Sequence, residues 1–279
     1  MTRFPLFASR LLLVAGLLLS GAAAAQTVPV NVAIAGDTAT VAIGAPNAPL
    51  ADLTINFDQA SNLSAENLGI SARLLSGPEL GALTARLPGT VVQLTQPLPL
   101  LITVEPPVAG GLSFKKLVRV ELHTHVLPYT AGSTLRLFKA PLGGAFRDIT
   151  DEISPGSVRS RGTTDGFSQF LLVSDLRPTH AVVADKLSKL RELVDALPSP
   201  QAGPLDGYLD TITAALAAGD FTAATVAVDS FRERVSAQAG TGIPQVWSAG
   251  DHAGNPAGAL LAGAATLRFS IDYQRLYDP

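Results

Sequence analysis

Hydrophobic and polar positions follow two different periods along this chain of 279 residues. From Gln26 to about Asp175 the period is two. Val30, Val32 and Ile34 alternate with Asn31 and Ala33, and Leu53, Ile55 and Phe57 alternate with Asp52, Thr54 and Asn56. Such alternation sends one set of side chains to each face of a strand. Further strands are predicted over residues 70–75, 91–94, 100–105, 117–123, 134–139 and 167–173. The turn signals Ser76-Gly77-Pro78, Pro106-Pro107, Gly110-Gly111 and Gly143-Gly144 separate them. Many short strands with regularly spaced turns predict a β-sandwich over residues 26–176. Pro97, Pro99 and the pair Pro106-Pro107 also allow two small β units split near 106–111.

After Arg177-Pro178 the period becomes helical. Leu187, Leu190, Val194 and Leu197 share one face, and Pro198 and Pro200 stop that helix. Leu205, Tyr208, Leu209, Ile212 and Leu216 mark a second helix ending near Gly219. Asp220 suits the N-cap of a third, whose stripe is Phe221, Ala224, Val228, Phe231 and Val235. A Gly/Pro-rich loop with Asp251 and His252 leads to a fourth helix from about Pro256, with Leu260, Ala264, Leu267 and Ile271 on one side. Short connections predict antiparallel neighbours. The expected fold is therefore an all-β sandwich followed by a small antiparallel α-helical bundle over residues 180–279.

The first 25 residues fit neither pattern. Arg3 and Arg10 precede an apolar run from Leu11 to Leu19, and Ala23-Ala24-Ala25 supplies the small residues of a cleavage site. This reads as a secretory signal peptide over residues 1–25, too short to be a comfortable membrane span. The protein is thus expected to be exported, to the periplasm or the extracellular medium, with no membrane span after processing. Loss of both arginines takes the formal charge from −3 to −5. A mildly acidic chain argues against a nucleic-acid partner, which needs a basic patch. The chain has no cysteine. That excludes disulfides, thiol nucleophiles, thiolate metal sites and a lipid-modified cysteine.

The helical part resembles the FIMAH domain, a module found attached to extracellular metallophosphatases. The matching residues are Leu187, Leu190, Leu193, Val194 and Leu197, then Leu205 and Leu209, then Ala214-Ala215-Leu216. Ala218-Gly219-Asp220 with Ala224 follows, then Phe231, Val235, Ala237-Gln238 and Gly240, and finally Ala259-Leu260-Leu261 with Ala264. The loop from Thr241 to Gly258, which holds Trp247, departs from that pattern. The β part, with Gly156-Ser157-Val158-Arg159 and Gly166-Phe167-Ser168-Gln169-Phe170-Leu171, is similar to exported bacterial proteins of the DUF6689 type. The first resemblance implies a non-catalytic accessory module and the second implies no activity.

Candidate chemistry is sparse. His123 and His125 form a His-x-His pair, whose spacing on a strand aims both imidazoles at one face and one ion. Further ligands would come from His180, His252 or the acids Asp148, Asp151 and Glu152; the plain alternative is a polar exposed face. The same three acids suit calcium in type but not in spacing, and the reading preferred for them is turn capping. Ser157, Ser168 and Ser174 lack the G-x-S-x-G context of a hydrolase nucleophile. Arg159 and Arg161 alternate on a strand and suit an anionic partner or a solvated face. Trp247, the single tryptophan, suits either a partner contact or a plug at the end of the helical part, and Tyr273 and Tyr277 are expected to pack back on the helices. No phosphate-binding glycine loop is present.

These observations lead to an exported, non-enzymatic interaction or scaffold protein with no cofactor, whose partner is an envelope protein or a polysaccharide. A metal-binding protein or metal-dependent hydrolase centred on His123 and His125, holding zinc or calcium, is the alternative. A carbohydrate-binding or adhesive module is a third.

Overall fold

In the computed structural model, residues 26–95, 98–128, 130, 132–154, 157–251 and 254–278 are described; the segment read as a signal peptide, Pro97 and His252 lie outside them. The first strands are β1 (Gln26–Val28), β2 (Val30–Ala35), β3 (Thr38–Ala45) and β4 (Ala48–Ser61), followed by α1 (Ala65–Leu68), β5 (Ile70–Leu74) and α2 (Gly77–Thr84). Then come β6 (Val92–Leu94), β7 (Leu100–Val104), β8 (Ser113–Pro128), β9 (Leu135–Ala140), β10 (Arg147–Asp148), β11 (Thr150–Ser154), β12 (Ser157–Thr164) and β13 (Gln169–Asp175). The C-terminal part holds α3 (Thr179–Asp195), α4 (Ser199–Ala217), α5 (Phe221–Gln238), β14 (Val246–Ser248) and α6 (Pro256–Tyr277).

The strands form two antiparallel sheets. One runs β1-β5-β7-β13-β9-β10 with β6 also on β13, and the other runs β11-β12-β8-β4-β3-β2 with β14 also on β8. Strands from both sides of 106–111 share each sheet: β7 pairs with β13, and β4 with β8. That stretch is a connection inside one sandwich-like body rather than a boundary between two β units. Its apolar centre lies between the sheets, where Ala72, Leu100, Ile102 and Phe170 of the first meet Val41, Leu53, Ile55, Val120 and Leu122 of the second.

The first sheet also buries its far face. Leu101, Phe138, Leu171 and Val173 pack there against Leu83 of α2, Leu87 and Phe146. This explains why β7 and β13 read as unbroken apolar runs rather than alternations: a strand covered on both faces has no polar side to show. The Ser76-Gly77-Pro78 turn signal is in fact the start of α2, with Pro in its first turn.

Helices α3 to α6 surround a second apolar cluster, in which Leu190, Val194, Leu209, Ile212, Val228, Phe231, Leu260 and Leu267 are buried. Asp220 caps α5, its Oδ1 accepting from Ala223 N at 2.9 Å. Asn255 does the same for α6. Among the described residues no helix is long and apolar enough to cross a membrane.

The region expected to be purely helical lends a strand to the sandwich, because β14 pairs with β8. Lys116, at a bulge in β8, has φ 53°. Its backbone N–H donates to Gln245 O at 2.7 Å and its carbonyl accepts from Asn255 Nδ2 at 2.5 Å. The same carbonyl is why position 258 is glycine: a Cβ there would lie 2.1 Å from it. A second tie is ionic. Lys186 Nζ of α3 sits 2.7 Å from Asp148 Oδ2 of β10, and it also donates to Ser270 Oγ at 2.8 Å and Thr266 O at 3.1 Å on α6.

Candidate metal centre

On β8 the even positions Val118, Val120 and Leu122 are buried between the sheets, so Glu121, His123 and His125 point outward. The register then sets their neighbours. Asp52 of β4 lies directly opposite His123 on one side, and Arg159 of β12 on the other. Three side chains converge as a result. Asp52 Oδ2 is 2.9 Å from His125 Nε2 and 3.8 Å from His123 Nδ1, and the imidazole centroids are 4.7 Å apart with planes inclined by 60°. One ligand atom from each residue lies within 4.8 Å of the other two.

Burial pushes the His123 imidazole below its ordinary pKa, and the charges of Arg159 and His125 add to that against the opposing pull of Asp52 and Glu121. A neutral imidazole has a lone pair to give, whereas an imidazolium has none. Two imidazoles and a carboxylate are the ligands that zinc takes in open sites. Ligands about 2.1 Å from a tetrahedral ion stand about 3.4 Å apart. The observed Asp52 distances of 2.9 and 3.8 Å bracket that value. The site stays accessible, with side-chain exposures of 39%, 18% and 32% for Asp52, His123 and His125.

The other expected ligands do not join this group. His180 is exposed at the start of α3, and His252 lies outside the described residues. Asp148, Asp151 and Glu152 do not converge either, so they make no calcium cradle, and they belong to strands rather than a turn. Asp148 is buried against Lys186. Asp151 accepts from Thr163 Oγ1, and burial pushes its carboxyl up. Bonds from Ser154 and Arg161 hold Glu152 below the usual carboxylate range. Asp52 was absent from the sequence-derived candidates. It shows in the sequence only as a polar position among Leu53, Ile55 and Phe57, and pairing with His123 depends on register.

Arg161 is spent on an ion ladder across the same face, bonding Glu121 and Glu152, and Arg159 Nε lies 3.6 Å from Glu121 Oε1. Ser168 is buried, Ser174 Oγ is 2.8 Å from Thr134 Oγ1, and the side chain of Ser157 lies outside the described residues. Trp247 stacks on Phe114 at 5.1 Å and meets Phe167 edge-on at 5.3 Å. It therefore closes the end of the sandwich rather than the helical part. Tyr273 also reaches the β region: its OH donates to Gly132 O at 2.8 Å, and the Arg136 guanidinium lies 4.3 Å from its ring centre.

The sequence matches the family model DUF6689, described as a family of unknown function, over residues 13–275. The chain belongs to this family. No curated protein matches it. Among solved structures it is similar to one titled as the CBM51-2 and INT domains from Clostridium perfringens ZmpB, at 12% identity, over 76% of this chain and 54% of that one, with a TM-score of 0.16. The chain thus spans about half the length of that one. The sandwich-like body, the helices and the outward Asp52–His123–His125 group are therefore features of a DUF6689 chain.

Proposed function

We propose that this DUF6689 protein is an exported metal-binding protein, holding one divalent transition-metal ion of the zinc type on the outer face of its sandwich. The observation that carries the reading is the convergence of Asp52, His123 and His125 from two neighbouring strands, one ligand atom each within 4.8 Å. Three protein ligands leave a coordination position open to solvent. Turnover by a metal-bound water calls for a dry, shaped cavity. An exposed sheet face instead suits a ligand from a partner, such as a carboxylate or imidazole of an envelope protein or a carboxylate of a polysaccharide. The role is thus metal-assisted binding, with the four C-terminal helices read as a small antiparallel bundle docked on the sandwich. Export rests on the Arg3 to Ala25 segment of the sequence.

The test is titration of zinc chloride into metal-stripped protein by isothermal calorimetry, with nickel and calcium alongside. We expect one zinc site of roughly micromolar Kd, about −8 kcal/mol, and no calcium binding, since calcium prefers six or more oxygens. Asp52→Ala, His123→Ala and His125→Ala each weaken zinc by at least about tenfold. Zinc binding that all three variants retain would place the ion elsewhere and end this reading.

A further inference from the structure

A cleft of about 390 Å³ lies between helices α3 and α6 and the rim of the sandwich carrying β9 to β12. This is within the usual size of a small-molecule site, and such sites favour the seams between structural units. Leu190 and Leu193 of α3 and Ala259, Ala262 and Gly263 of α6 form an apolar wall. Ala259 and Gly263 are one helical turn apart, and with almost no side chain they keep the cleft open.

The rest of the lining is charged, in part from the same helix α3, and most of these charges are paired. Lys186 meets Asp148 at 2.7 Å, Lys139 meets Asp165 at 3.1 Å, Lys189 meets Glu192 at 2.5 Å, and Arg177 is shared between Asp175 at 2.7 Å and Asp185 at 2.8 Å. Arg147 is the exception among the lining cations. It stands exposed on β10, the last strand in the order of its sheet, and its side chain makes no ion pair or hydrogen bond among the described residues. It is near enough to lower the pKa of Asp165 and Glu192 only through space. The lining carries five cations and four carboxylates, and Asp175 behind Arg177 is a fifth carboxylate.

We propose that this cleft binds a small monoanionic amphiphile, a carboxylate or sulfonate on an apolar body. The head group pairs with Arg147, and the body lies over Ala259 and Gly263 against Leu193. The ligand gives the Arg147 side chain a partner and covers the apolar wall in one step. This site is separate from the metal centre and does not depend on it.

The experiment is calorimetric titration of the purified protein with sodium octanoate, and with octylammonium chloride and octyl glucoside at the same concentrations. Octanoate is expected to saturate one site, with octylammonium and octyl glucoside at least tenfold weaker. Arg147→Glu should weaken octanoate at least tenfold, Arg147→Lys should restore most of the loss, and Ala259→Phe should block binding. Circular dichroism checks that each variant is folded; should Ala259→Phe misfold, Ala259→Gln replaces it. No saturable octanoate binding overturns the proposal. So do equal binding of octylammonium, indifference to Arg147→Glu, and indifference to filling position 259. Asp52→Ala, which removes a metal ligand, should leave octanoate binding unchanged.

Discussion

Replacing Lys186 by methionine isolates what the buried ion pair contributes to holding the helices on the sandwich. The Lys186 and Asp148 side chains are 10% and 2% exposed and 2.7 Å apart. Methionine keeps the apolar stem and removes the charge, which strands the carboxylate in a nearly dry place. Breaking a buried pair from one side costs about 3–5 kcal/mol. Lys186 also loses its bonds to Thr266 and Ser270, each contributing about 1 kcal/mol net. Against this, Arg136 and Arg177 remain close enough to act on Asp148, and Thr150 N still donates to its Oδ1 at 2.8 Å. A cost of about 3–4 kcal/mol follows. The double variant Lys186→Met with Asp148→Leu removes both charges and should return to within about 1 kcal/mol of the parent. Urea unfolding followed by far-ultraviolet circular dichroism measures both. A single variant less than about 1 kcal/mol below the parent, or a double no better than the single, would refute the argument. The pH dependence has a fixed sign. Burial alone would raise the Asp148 carboxyl, but Lys186, Arg136 and the hydrogen bonds hold it below the ordinary value. A carboxylate lowered on folding adds stability that is present above about pH 4 and is lost as pH falls through its folded value. The double variant should lose less stability than the parent in that acid range.

Zinc affinity should also fall in acid, because protons compete for the imidazoles. His123 lies below its ordinary pKa, so binding should change little from pH 8 to 7 and weaken at least about tenfold by pH 5, as read by calorimetry. Asp220→Ala removes one cap bond from α5 and should cost about 1 kcal/mol in urea unfolding. Asn255→Ala should cost more, about 2–3 kcal/mol, since its Nδ2 also bonds Lys116 O. Gly258→Ala should lower the thermal midpoint, although alanine in a helix normally gains about 1 kcal/mol over glycine; a raised midpoint would mean that the helix does not approach the Lys116 carbonyl at 2.1 Å from the added carbon. Trp247→Ala should cost about 2–4 kcal/mol through its lost stacking on Phe114.

The parts of the fold legible in the sequence are those set by local pattern. The stripe of α5 reads directly from Phe221 to Val235, because one helix face meets one core. Asp220 is legible for the same reason, since a cap is made within three residues. β14 is not legible. Val246-Trp247-Ser248 has no period of its own, and it becomes a strand only because Phe114 and the bulge at Lys116 offer an edge to it. The same holds for α2, where a Gly-Pro pair that usually marks a turn begins a helix laid over the second face of a sheet. In each case tertiary contact overrides a weak local preference.

The metal centre divides along the same line. The two histidines are two apart on a strand, so their shared face follows from the period alone. Asp52 is 71 positions from His123, and what brings it to the site is the register of β4 on β8, with Asp52 opposite His123 and Leu53 opposite Leu122. Slipping that register by one residue would turn Asp52 inward and Leu53 outward. The burial of Leu53 and Ile55 between the sheets therefore fixes the carboxylate beside the imidazoles just as firmly as it fixes the core. A substitution that shifts the core register must abolish the ligand set with it. One that respects the alternation can change Asp52 without disturbing the fold, which is why Asp52→Ala separates loss of metal from loss of structure.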